Sequence, residues 1–161
     1  MNELASILEL IPAVPAGTVL ASRDGILAIE QSLCKIVEPG ERSDQFPLTH
    51  RFADGVYARE ILLPAGSLVV GKIHRYGHLN VITKGLVSVL TEDGVQVLKA
   101  PLTFISKPGT KRVVFAHEDT VWTTFHGTNP NEVNDINKVE DRIICKTFAE
   151  FDALCQLEDK P

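Results

Sequence analysis

His74 and His78 flank the short run Arg75-Tyr76-Gly77, and His126 stands in strand phase with Trp122 and Thr124. Three neutral imidazoles that converge with one position left open suit Zn(II), Fe(II), Ni(II) or Mn(II), and leave room for water or a substrate. Such a centre polarises a carbonyl, or activates water or dioxygen. Two cations close to the same residues point to different chemistry. If Lys72 and Arg112 face the same interior, they repel a divalent cation in a low-dielectric cavity and favour a carboxylate or a phosphate. Arg112 would then supply a planar two-pronged grip and Lys72 a point charge, with Tyr76, Asn80 and Trp122 adding stacking or hydrogen bonds.

Positioning these side chains requires strands. Alternate residues of a strand face one side, so residues two apart, or facing each other across a turn, can meet in one cavity. From Val56 onward the chain reads as short β-rich runs: 56–63, 67–74, 78–83, 86–91, 95–100, 102–106, 111–116 and 120–126. Turn residues punctuate them at Pro64-Ala65-Gly66, Tyr76-Gly77, Lys84-Gly85, Glu92-Asp93-Gly94, Pro108-Gly109 and His117-Glu118-Asp119. About eight such strands with no interrupting helix predict an all-β sandwich or barrel rather than a parallel α/β sheet. Strand parity places Lys111 and Arg112 on opposite faces, one inward and one outward.

The flanks differ from the middle. Leu4, Ile7, Leu8 and Ile11, then Ile26, Ile29, Leu33 and Ile36, recur at helical spacing, which predicts two short N-terminal helices, the second capped by Asp24. Residues 38–49 read as a loop or arm, and 128–141 as a polar, exposed connection. Thr147 and Glu150 open a short C-terminal helix that carries Phe148, Phe151, Leu154 and Cys155. The expected organisation is one compact domain: an N-terminal helical segment and arm over 1–55, a barrel over 56–127, and the connection and C-terminal helix over 128–161. At 161 residues the chain has length for one core.

Composition narrows the function classes. A net charge of -5 and a sequence pI near 5.5 disfavour a nucleic-acid polymer as partner. No apolar run reaches the length of a membrane span and no basic start marks a secretion signal, so a cytoplasmic location is expected. Cys34, Cys145 and Cys155, widely spaced and odd in number, suggest free thiols. No nucleophile elbow surrounds a serine, and inward acids are scarce among the strands.

The run Gly71-Lys72-Ile73-His74-Arg75-Tyr76-Gly77-His78, the glycine at Gly85 and the later Lys107-Pro108-Gly109-Thr110-Lys111-Arg112 together resemble the two-part signature of the cupin superfamily. Over roughly 61–127 the resemblance implies a cupin-type jelly-roll barrel. It places Lys72, His74 and His78 at three ligand positions of the first motif and Arg112 at the ligand position of the second, so two usual ligands are replaced by cations. The runs around Lys107 and around Ala116-His117-Glu118-Asp119 also resemble small cupin-like proteins encoded by tailed bacteriophages. The expected function is therefore binding of a small anionic molecule (a carboxylate, a phosphate or a nucleotide-like ligand) in the barrel mouth, such as sequestration of a host signal or metabolite by a homo-oligomer. The alternatives are a metal-dependent cupin enzyme (dioxygenase, isomerase or lyase) using His74, His78 and His126, a metal-free sugar-nucleotide epimerase of cupin type, and a structural jelly roll.

Overall fold

The computed structural model describes residue 17 and residues 19–36 and 46–158. Helix α1 (Arg23–Ile36) precedes strands β1 (Leu48–Ala53), β2 (Val56–Leu63), β3 (Leu68–Val70), β4 (Ile73–His74), β5 (His78–Lys84), β6 (Leu86–Thr91), β7 (Gly94–Lys99), β8 (Leu102–Ser106), β9 (Val113–Ala116) and β10 (Thr120–Gly127). A 3-10 turn at Pro130–Glu132, helix α2 (Ile136–Ile143), strand β11 (Ile144–Cys145) and helix α3 (Phe148–Glu158) follow.

The pairings are nested. β2 pairs with β10, β3 with β9, β5 with β8 and β6 with β7, all antiparallel, so a long hairpin of eight strands folds over on itself. Cross-pairing of β10 with β5 and of β9 with β6 joins the hairpin's arms into two facing sheets. That is the jelly roll. One sheet runs β1-β2-β10-β5-β8 and the other β3-β9-β6-β7. The chain is a jelly-roll barrel, with β1 added at one edge and β4 paired separately with β11.

Alternation along the strands fills the space between the sheets. Leu63, Ile82, Val87, Val89, Val114, Ala116 and Trp122 form the core there. The outer face of the second sheet is closed by α1, which lays Ile26, Ile29 and Leu33 against Leu90 and Val113. The cap of α1 is the Ser22 hydroxyl, which accepts from the Gly25 N–H at 3.0 Å, so Asp24 lies in the first turn instead of at the cap. Thr147 caps α3 by accepting from the Glu150 N–H at 3.1 Å. The first predicted N-terminal helix lies outside the described residues.

The two polar segments need correction. The arm predicted over 38–49 gives way at Leu48 to β1, whose residues alternate between half-buried and exposed. Within the stretch read as an exposed connection, α2 buries Val139 and Ile143, four residues apart on one face, and Asp135 caps it by accepting from the Lys138 N–H at 3.1 Å. Arg142 anchors the segment to Glu132 and to the Gly127 carbonyl.

Candidate metal centre and barrel cavity

Three strands bring the histidines together. His78 starts β5 and His126 is next to last in the adjacent β10, both pointing between the sheets, and His74 comes from β4 on the far side of the Arg75-Tyr76-Gly77 turn. Ring centroids lie 4.2 Å apart for His74 and His78, 4.7 Å for His78 and His126, and 5.1 Å for His74 and His126. One nitrogen of each ring lies within 4.8 Å of those of the other two. This is a distance range in which one ion could contact all three after small side-chain adjustments.

The hydrogen bonds leave lone pairs for such an ion. His78 Nδ1 faces the Tyr76 carbonyl at 3.3 Å, a contact that makes Nδ1 the protonated nitrogen and directs the lone pair of Nε2 inward. Buried His78 Nε2 and buried His74 Nδ1 have no hydrogen-bond partner. All three rings are held neutral. Burial is the first cause in each case, bringing His74 down to about 2, His78 to about 4 and His126 to about 3. Positive neighbours push the same way: Arg112 on His74 and His78, and Arg59 on His74 and His126. Neutral, unpartnered, buried imidazole nitrogens are the donor set that a divalent transition metal takes, so the residues present fit such an ion.

The triad opens on a cavity of about 160 Å³ in the barrel, lined by Tyr57, Arg59, Arg112, Trp122 and Thr124 and by an apolar wall that includes Ile61, Val69 and Val114. Arg112 is buried and points in. It donates from Nη2 to Ser106 Oγ and from Nη1 to Asn80 Oδ1 at 3.4 Å, while its guanidinium lies 5.4 Å from the centre of the Trp122 ring. Asn80, fully buried, is the hub: its Oδ1 also accepts from Trp122 Nε1 at 3.0 Å and its Nδ2 donates to Ser106 Oγ at 2.8 Å. Trp122 therefore belongs both to the core and to the support of Arg112, and Asn80 acts from behind the cavity wall.

Lys72 and Tyr76 differ from their expected placements. Lys72 reaches the cavity mouth but turns outward, 57% exposed, to pair with Glu140 at 2.9 Å; the backbone breaks between β3 and β4, so alternation does not drive it in. Lys111 and Arg112 take opposite faces and are nevertheless both buried, because α1 covers the outer face: the Lys111 ammonium meets Glu30 of α1 at 2.8 Å and the Gly71 carbonyl at 2.9 Å. Tyr76 is 38% exposed, between the Arg75 and Arg142 guanidiniums and off the cavity wall. The remaining histidines stand apart from the triad: His117 is exposed and bonded to Ser88 Oγ, and His50 Nδ1 meets the Tyr57 hydroxyl at 2.7 Å.

Sequence reasoning missed Tyr57, Arg59 and Glu140. The first two were legible, since Tyr57, Arg59, Ile61 and Leu63 share one face of β2. Glu140 arrives on a helix read as a loop.

Fold and site together define a jelly-roll barrel with a three-histidine cluster at its mouth. Solved cupin structures are similar to it: a cupin domain from Bordetella pertussis Tohama I, 15% identical over 52% of this chain and 94% of that one with a TM-score of 0.43; KdgF from Halomonas sp., 16% identical over 60% and 87% with a TM-score of 0.46; and an acetylacetone dioxygenase from Acinetobacter johnsonii, 19% identical over 53% and 64% with a TM-score of 0.41. No protein-family model matches the chain, and no curated protein does. Among the described residues no helix is long and apolar enough to cross a membrane.

Proposed function

We propose that this barrel is a metal-dependent enzyme that holds a divalent transition metal between His74, His78 and His126 and presents to it a small anionic molecule. The observation that carries the reading is the convergence of three neutral imidazoles, two of them with buried nitrogens that meet no partner. Lys72 drops out of the charge objection raised by the sequence, because Glu140 neutralises it at the rim, while Arg59 joins Arg112 on the cavity wall, so the objection calls for an anion bound beside the metal. When bound, the metal would supply Lewis acidity toward an oxygen of the anion, which suits dioxygenase, isomerase or lyase chemistry.

The chain's own groups do the rest. Arg59 and Arg112 attract and orient the anion, the Asn80 and Ser106 contacts hold Arg112 in place, and the apolar wall keeps bulk water away. Elemental analysis after equilibration with Zn(II), Co(II), Mn(II) or Fe(II) under reducing conditions tests the reading. One ion per chain in the wild type and less than about a tenth in His78→Ala is expected. A metal-free wild type in every case rejects it.

Metal-free sequestration of an anion remains the second reading, favoured by the two guanidiniums on the cavity wall. It is separated by mass spectrometry of small molecules released on heating: a stoichiometric anion in protein that carries no metal selects it.

A further inference from the structure

The charges around the cavity are unbalanced. Glu140 is the only acid among its lining residues and is engaged by Lys72, so Arg59 and Arg112 face the interior with no acidic side chain to pair with among the described residues. Arg112 cannot swing out to relieve this, being buried and fixed by Ser106, Asn80 and the Trp122 face.

The same two guanidiniums oppose positive charge at the triad. Both arginines line the same cavity as the three histidines. A divalent ion at those nitrogens carries twice the charge of a proton and meets the same field. An anion alone also meets opposition. The unpartnered nitrogens of His74 and His78 direct lone pairs at any oxygen placed beside them. A metal removes that conflict and an anion removes the other.

The cavity also limits what the anion is. Its volume of about 160 Å³ falls below the roughly 300–1,000 Å³ of sites for drug-sized ligands, which suits a short ligand body. Away from the cations and histidines its wall is largely aliphatic: Ile61, Leu63, Val69, Val70, Val114 and Ile143. Two guanidinium forks beside such a wall match a carboxylate on a short aliphatic body.

We infer that a divalent metal and a short aliphatic carboxylate occupy this cavity together and bind cooperatively, each weakly without the other. The inference rests on the triad's being a metal site, and by linkage the factor by which one ligand tightens the other is the same in both directions.

Titration of Co(II) into the metal-free protein, followed by calorimetry and by the visible absorption of the ion, tests it in four arms: no addition, saturating isovalerate, its neutral isostere isovaleramide, and inorganic phosphate. Isovalerate is expected to lower the Co(II) Kd by about tenfold or more, with the amide and phosphate arms within about twofold of the bare protein. The isovalerate Kd should fall by the same factor once Co(II) is present. Arg59→Met, which removes a half-buried side chain and leaves the Asn80 hub intact, should bind Co(II) more tightly in the bare arm and show a smaller coupling. Co(II) binding that is indifferent to isovalerate, or equally sensitive to isovaleramide, overturns the inference while leaving the metal site standing. Coupling to phosphate in place of isovalerate overturns the carboxylate assignment. Absence of Co(II) binding in all four arms instead rejects the metal reading itself.

Discussion

The imidazoles of His74 and His126 lie face to face, ring centroids 5.1 Å apart and planes 1° from parallel, although one comes from a two-residue strand and the other from the end of the longest ladder in the barrel. Two charged rings would repel in that arrangement. Its existence in a buried cluster goes with the neutral state of both.

The pH dependence of stability follows. In the unfolded chain the three histidines titrate near 6.5, whereas in the fold they stay neutral until about 4, 3 and 2 for His78, His126 and His74. Between about pH 6.5 and 4 the unfolded state therefore binds more protons, and stability falls as pH falls, by at most about 1.4 kcal/mol per pH unit for each histidine. The urea midpoint of the metal-free protein should drop between pH 7.5 and 5. A flat midpoint across that window would show that the rings titrate as ordinary surface histidines.

Asn80→Leu tests the hub behind the cavity. Leucine is close in volume but strips partners from Trp122 Nε1, Arg112 and Ser106. Each buried group left unmatched costs about 1–3 kcal/mol, so equilibrium unfolding should show a loss above about 2 kcal/mol. A loss near zero would mean that these groups find other partners.

Gly85→Ala addresses the turn between β5 and β6. Gly85 has φ +103°, and an added Cβ would strike the Thr120 side chain and sit 2.8 Å from the Asp119 carbonyl oxygen. Strain and overlap together should cost at least about 1–3 kcal/mol, read as a lowered Tm. An unchanged Tm would show that this turn can relax.

Lys72→Met separates the rim from the interior. The Lys72–Glu140 pair is largely exposed, and pairs of that kind are worth about 0–1 kcal/mol. Stability should therefore change little and the metal-to-protein ratio should stay the same. A lost metal would mean that the rim ion pair shapes the triad.

Much of this architecture was readable from local chemistry. Gly85 and the Pro108-Gly109 turn marked strand ends because only particular residues fit those backbones, and the inward phase of Trp122, Thr124 and His126 followed from alternation on a strand of eight residues. Alternation failed where strands stop. Lys72 falls between β3 and β4, so a neighbour in space, Glu140, decides where that side chain goes, whereas Lys111 keeps its parity and is buried because α1 covers the outer face. Helix α2 was hidden for another reason. Its polar residues outnumber the two that it buries, and the burial of Val139 and Ile143 beside Tyr57 depends on a barrel wall far away in sequence.

The pairing of β4 with β11 has a temporal consequence. Ile144 and Cys145 are the ladder partners of His74 and Ile73, and they follow every strand of the jelly roll in the chain. During synthesis from the N-terminus, the barrel strands that carry His78 and His126 emerge first, and the His74 carbonyl can already accept from the Gly109 N–H, 2.8 Å away in the fold. The strand partner of His74 and the Ile143 carbonyl that accepts from the Arg75 N–H at 2.7 Å both come later in the chain. The last side of the triad's frame is therefore supplied by the segment that follows the barrel.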